Sequence, residues 1–181
     1  MFFIKRKDFE LRVETALRFY EKAGIVLTES EKENIEVADF GLGNVEEVGL
    51  QILTYINTEK VCAKEMVMTA GQTCPEHKHV PTNGMGGKEE TFRCRFGKVY
   101  LYVSGEGEKE SIQAKMPETD ISVFHEVVLN PGEQYTIMPE TLHWFQAGED
   151  GAIISEFSTR STDETDVFTD KRIIRETQIE D

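Results

Sequence analysis

The chain holds four histidines, and three of them stand in one pattern with a glutamate. In Gly71-Gln72-Thr73-Cys74-Pro75-Glu76-His77-Lys78-His79, two imidazoles lie two residues apart, so a strand would project both from one face. Glu90 opens the next run, and His143 follows much later, after the Pro131-Gly132 turn. Three imidazoles and one carboxylate form a ligand set for a borderline divalent ion such as manganese, iron, cobalt, nickel or zinc. Four protein ligands on a six-coordinate ion leave two positions for water or substrate. An ion held that way can serve as Lewis acid and template for a small polar molecule. The remaining histidine, His125, follows Phe124 in an apolar run and reads as a hydrogen-bonded structural residue in preference to a substrate contact.

The segments that must position these residues read as strands. Residues 49–56 alternate Leu50, Ile52, Thr54 and Ile56 against Gln51, Leu53 and Tyr55, and 61–68 form a second run. Residues 91–95 and 99–103 flank Phe96-Gly97-Lys98, which predicts a hairpin. Residues 122–129 lead into the Asn130-Pro131-Gly132 turn, and 134–137, 143–146 and 152–157 complete the series. Many short strands with turn signals at close intervals predict an all-β sandwich or barrel. Ahead of them, Phe9, Leu11, Val13, Ala16, Leu17, Phe19, Tyr20 and Ala23 recur at helical spacing, with Asp8 as N-cap and Gly24 as terminator. Thr28 and Glu31 have the spacing of a capping box, and Gly41-Leu42-Gly43 marks a loop. The tail from Ser158 is polar and is expected to wrap over the barrel or fray. The chain therefore divides into an N-terminal helical arm (1–48), a barrel (49–160) and a C-terminal polar extension (161–181), one domain overall.

A formal net charge of −14 excludes a nucleic-acid partner, because phosphate binding needs a basic footprint. No stretch approaches the roughly 18 apolar residues of a membrane helix. The opening Met1-Phe2-Phe3-Ile4-Lys5-Arg6-Lys7 puts apolar residues before charges, the reverse of a secretory signal, and predicts a cytoplasmic protein. Cys62, Cys74 and Cys94 form no CxxC pair; an odd count among apolar residues suits buried thiols in a reducing compartment.

Gly71-x5-His77-x-His79 followed by Glu90-x6-Gly97 resembles the first cupin motif, and Gly132-x10-His143 resembles the second. Ten residues separate His79 from Glu90, so the usual short spacer is lengthened by a loop at 80–88. In the second motif Met138 takes the usual proline position with Pro139 one later, Glu140 replaces a glycine and Ala147 an asparagine. Outside these motifs, Val37-Ala38-Asp39-Phe40-Gly41-Leu42-Gly43, Gly87-Lys88-Glu89-Glu90-Thr91-Phe92-Arg93-Cys94-Arg95 and Gln134-Tyr135-Thr136-Ile137 are similar to D-lyxose isomerases of the cupin type. So are His143-Trp144-Phe145-Gln146-Ala147-Gly148, Ser155-Glu156-Phe157-Ser158, Ser161-Thr162-Asp163 and Phe168-Thr169-Asp170. The resemblance runs from about residue 15 to 173. It implies a cupin fold (a double-stranded β-helix, or jelly-roll barrel) with His77, His79, Glu90 and His143 as metal ligands. It further implies a homodimer that interconverts D-lyxose and D-xylulose at a divalent ion, manganese first and zinc, cobalt, iron or nickel next. D-Mannose and D-fructose, which differ from that pair only at C6, form a second candidate couple.

Aldose–ketose isomerisation moves a hydrogen between C1 and C2, so it needs a base beside the metal. Glu156, on a late strand in a stretch the family shares, is the first candidate; the competing reading is a surface carboxylate. Lys88 falls on the Glu90 face if the strand begins at residue 88, and could steady a substrate oxygen, or else be a solvated loop lysine. Glu89, Arg93 and Arg95 would face away from Glu90 and read as structural. Phe92, Trp144 and Phe145 read as core, with stacking on a sugar as an alternative. Three classes compete: a sugar isomerase, a cupin oxygenase using the same ligand set, and a non-catalytic sugar- or metal-binding cupin.

Overall fold

A computed structural model of the chain describes residues 2–82, 84 and 86–181; Met1, Asn83 and Met85 lie outside the described residues, the last two within the lengthened loop at 80–88. In chain order the elements are β1 (Ile4–Lys5), α1 (Arg6–Lys22), α2 (Glu29–Glu33), β2 (Glu36–Ala38), β3 (Leu50–Asn57), β4 (Cys62–Met68) and β5 (Thr73–Lys78). They continue as β6 (Glu90–Val103), β7 (His125–Leu129), β8 (Gln134–Ile137), β9 (His143–Ser158), β10 (Val167–Phe168) and β11 (Ile179–Glu180).

Strands β6 and β9 are the spine. They pair antiparallel from Glu90 opposite Ser158 to Val103 opposite His143. The second half of β9 also pairs with β4, which continues through β3 to β2; its first half pairs with β5, which carries β10. Strands β7 and β8 lie on the other edge of β6. The result is a curled antiparallel sheet, the cupin barrel, with an inner face closed around one core.

The hairpin expected at Phe96-Gly97-Lys98 is instead a bulge within one strand. β6 runs unbroken through it, and the register with β9 shifts between Cys94 and Phe96 and between Gly97 and Val99. Likewise 143–146 and 152–157 are one strand, β9. The reason is that both strands bend together. Gly97 has φ +72° and Gly151, beside it on β9, φ +77°; a Cβ on Gly97 would collide with the Gly151 carbonyl. A positive-φ glycine in a strand makes a bulge and adds twist, after which the ladder resumes.

The alternation along residues 50–53 of β3 and along β4 is blurred because both faces are buried there. Inside, Leu50, Ile52, Met66, Met68, Ala152 and Ile154 pack with Phe92 and Phe145. Outside, Leu53, Val67 and Ile153 are covered by Ala16 and Tyr20 of α1, whose Tyr20 hydroxyl donates to the Glu65 carbonyl at 3.0 Å. On the other half, Tyr102 and Trp144 stack with ring centroids 4.0 Å apart on the outer face and are covered by the 112–123 segment. Trp144 thus belongs to an outer core, and Phe145 to the inner one.

The start of α1 differs from expectation. The helix begins at Arg6 with Lys5 as N-cap, and Asp8 lies in the first turn, where its charge suits the helix dipole. Pairing of β1 with β11, through Ile4 N–H to the Gln178 carbonyl, delivers the chain to the helix three residues early. Thr28 and Glu31 form the predicted capping box, and the chain leaves α1 through Gly24 at φ +70°. The polar tail wraps: Val167 and Phe168 add a strand opposite Lys78 and His77.

Candidate metal centre

His77 stands on β5 directly opposite His143, the first residue of β9, and Glu90 is the first residue of β6. His79 lies one residue past the end of β5. The three rings face one another with centroids 4.2–5.2 Å apart, and their ligand nitrogens all lie within 4.8 Å. Glu90 Oε1 is 3.0 Å from both His79 Nε2 and His143 Nε2. All four side chains are buried. The structure therefore brings together every residue of the predicted ligand set.

The rings are held for ligation. His77 Nδ1 meets the Pro75 carbonyl at 2.8 Å, His143 Nδ1 the Thr141 carbonyl at 3.0 Å, and His79 Nδ1 the Asp166 carboxylate at 2.6 Å. Each acceptor receives the Nδ1–H and turns Nε2 toward the centre, the arrangement that metal-binding histidines use. His143 Nε2, although close to Glu90, is out of line for a hydrogen bond and is a buried nitrogen with no partner. Burial and the neighbouring His143 and His79 push His77 well below the ordinary histidine range, keeping it neutral. Burial also works against charge on His79, but Glu90 and Asp166 outweigh it and raise that ring to about 9. The point between His79 and Glu90 thus favours positive charge. These are the properties of a divalent-cation site.

A second set of charges shares the cavity. Lys88 Nζ lies 2.7 Å from Glu90 Oε2, 3.0 Å from Glu156 Oε1 and 3.3 Å from Asp163 Oδ1. Residue 88 precedes β6, so Lys88 reaches the site from the loop and not from a strand. Burial alone would lower it, yet the three carboxylates raise it well above an ordinary lysine and keep it charged. Glu156 sits on β9 between Lys64 and Phe92 on the neighbouring strands, and its Oε1 also accepts from Ser158 at 3.0 Å. It is buried, so the surface-carboxylate alternative is excluded.

The sequence reading gave no role to Lys64, Asp163, Asp166, Phe168 or Arg175, which also line this cavity. Lys64 Nζ contacts Asp163 Oδ2 at 2.5 Å and Ser161 Oγ at 2.9 Å; Arg175 lies 3.6 Å from the same carboxylate. Burial pushes Asp163 up, but Lys88, Lys64 and Arg175 hold it well below the usual carboxylate range. The one signal in the sequence was that Ser161-Thr162-Asp163 and Phe168-Thr169-Asp170 belong to the shared stretches. Phe40, Phe92, Phe145 and Phe168 supply the apolar wall.

The other predicted residues lie elsewhere. Arg95 faces outward to Glu65 at 3.7 Å and Arg93 to Gln134 at 3.0 Å. His125 Nδ1 meets the Glu106 carbonyl at 2.8 Å, a structural contact, and its ring is not one of the three clustered histidines. Cys62, Cys74 and Cys94 are free and buried.

A curled antiparallel barrel that gathers three histidines and a glutamate on its inner face defines the chain as a cupin. L-Ribose isomerase of Acinetobacter sp. DL28, solved with L-ribose, superposes with a TM-score of 0.73 at 16% identity, covering 98% of each chain. The ligand-free L-ribose isomerase of Cellulomonas parahominis gives 0.73 at 15%, covering 99% of this chain and all of that one. At such identities the likeness is one of fold. In sequence, the chain is 60% identical over 180 residues to a D-lyxose/D-mannose isomerase of Thermosediminibacter oceani, covering 98% of this chain and 97% of the relative. It is 59% identical over 164 residues to the D-lyxose ketol-isomerase of Cohnella laeviribosi, covering 89% and 90%. The D-lyxose isomerase family model matches residues 29–181. The chain belongs to the D-lyxose isomerase family, and is an aldose–ketose isomerase. Among the described residues no helix is long and apolar enough to cross a membrane.

Proposed function

We propose that this enzyme interconverts D-lyxose and D-xylulose, with D-mannose and D-fructose as a second pair, at a divalent ion held by His77, His79, Glu90 and His143. The observation that carries the reading is that all three imidazoles have Nδ1 engaged by an acceptor while their ligand nitrogens and Glu90 gather at one point. The substrate choice rests on the family and on the names of its 60% and 59% identical relatives. When bound, the ion would supply Lewis-acid stabilisation of the enediolate charge. Manganese is our assignment for it, and a homodimer for the assembly, both on the resemblance.

Glu156 is our candidate for the base that takes the C2 proton and returns it at C1. Its carboxylate is buried in the cavity, so water competes little for the transferred proton. Lys88 keeps its positive charge beside Glu156 and Glu90, which suits it to steady a negatively charging substrate oxygen and not to accept a proton. The phenylalanines that line the cavity give the sugar's C–H faces an apolar surface and help exclude water.

An aldose panel tests the reading. Protein stripped by chelator and reloaded with single divalent ions should form ketose from D-lyxose fastest, with Mn²⁺ the best of the ions. Full turnover by stripped protein would refute the metal dependence, and faster turnover of another aldose would refute the substrate assignment.

A further inference from the structure

The three imidazoles are oriented in two different ways. The acceptors for His77 and His143 are carbonyls of Pro75 and Thr141, each two residues earlier in the chain, so those rings are set by their own strands. The acceptor for His79 is Asp166, 87 residues away in the tail. His79 has also left β5, and outside the ladder its carbonyl accepts from the Glu140 N–H at 3.2 Å, which holds the backbone but does not orient the ring. Asp166 in turn is placed by the tail's docking. Its N–H bonds to the Asp163 carbonyl at 3.2 Å, Phe168 pairs with His77, and Thr169 is clamped by Glu76. That clamp has Thr169 N–H on the Glu76 carbonyl at 3.1 Å and Thr169 Oγ1 on Glu76 Oε1 at 2.6 Å. Glu76 is fully buried and also accepts from Ser122 and Val123, so the anchor point belongs to the barrel.

We propose that Asp166 is a positioning residue of the metal centre: by accepting the Nδ1–H of His79 at 2.6 Å it turns Nε2 toward Glu90, and it thereby makes metal affinity depend on the docked tail. The proposal rests on the metal-centre reading above. Both side chains of the pair are only 6% exposed, so water is a poor substitute acceptor. Second-sphere acceptors on ligating histidines typically contribute about 10–100-fold in metal affinity. The coupling is reciprocal, because whatever the tail adds to metal affinity the metal must add to tail docking.

The test is titration of Mn²⁺, and separately Co²⁺, into the metal-stripped full-length protein and its variants, followed by calorimetry. Asp166→Ala should weaken both ions about 10–100-fold. Asp166→Asn keeps an oxygen that accepts the Nδ1–H, and should restore most of the affinity, which a merely structural role for the charge would not. Affinity unchanged in Asp166→Ala, or as weak in Asp166→Asn as in Asp166→Ala, would overturn the proposal. A companion measurement needs no variant: Mn²⁺ should slow hydrogen exchange at the Asp166 and Thr169 amides of the native sequence, and equal exchange with and without Mn²⁺ would equally overturn it. A native protein that binds neither ion would instead refute the metal centre itself.

Discussion

At the scale of residues, the site separates two jobs that carboxylates can do. Glu90 accepts near-contacts from two imidazoles and an ammonium, and against the push of burial Lys88 and His79 hold it well below the usual carboxylate range. A group so strongly held in the ionised form suits the ligand role proposed for it and is a poor proton carrier. Glu156 shares Lys88 and accepts from Ser158, apart from the histidines, which fits the proton-transfer role proposed for it. Glu156→Gln keeps the shape of the side chain and removes its basicity, so kcat should fall by roughly 10²–10⁴-fold with metal content unchanged, as measured by steady-state kinetics and metal analysis. Exchange of the C2 deuteron of labelled lyxose into solvent should fall in parallel. Lys88→Met should slow turnover with metal still bound. Normal turnover in Glu156→Gln beside a dead Lys88→Met would reverse the two roles.

At the scale of elements, the geometry depends on a strand bulge and a turn, each with left-handed residues. Gly97 and Gly151 bend the β6–β9 spine so that Glu90 and His143 arrive at one point from its two ends. Gly97→Ala must accommodate both a positive φ and a collision with the Gly151 carbonyl, a backbone group that cannot swing away. We expect a loss of at least about 1–2 kcal/mol in urea unfolding. Glu140 is the opposite case. Met138-Pro139-Glu140-Thr141 is a turn with proline second, φ +62° third and Thr141 N–H on the Met138 carbonyl at 3.2 Å, leading straight into His143. That third position favours glycine, so Glu140→Gly should be neutral or stabilise by up to about 1 kcal/mol in the same assay. The sequence made the histidine pattern and the short β segments legible, because period-two spacing and motif distances are local signals. It read Gly97 as a hairpin turn because a glycine between two strand-like runs looks the same whether the chain reverses or bulges. Asp163 carried only its place in a stretch shared with the family, and Lys64, Asp166 and Arg175 carried no local signal, since their meaning comes from a tail folding back across the barrel.

At the scale of the molecule, the candidate ligands come from the ends of separate strands. His77 lies near the end of β5 and His79 just past it, Glu90 starts β6 and His143 starts β9, while Asp166 holds the tail against the same point. An ion at that point ties together segments that are far apart in the chain and hold no such site once unfolded. Without it, three buried imidazoles face one another across 4.2–5.2 Å between ring centroids, and His143 keeps a buried nitrogen with no partner. Both considerations point the same way: an ion bound there would stabilise the native state and have little purchase on the unfolded chain. Stabilisation of that kind grows with the logarithm of free metal, by about 1.4 kcal/mol for each tenfold increase well above the Kd. Chelation should therefore lower the melting temperature, and restoring Mn²⁺ should raise it again with that logarithmic slope in differential scanning calorimetry. His143→Ala removes a ligand and the orphaned nitrogen together, and should melt at the same temperature with and without Mn²⁺. A melting temperature of the native sequence that ignores both chelator and added metal would show that the ion is no part of the fold's stability.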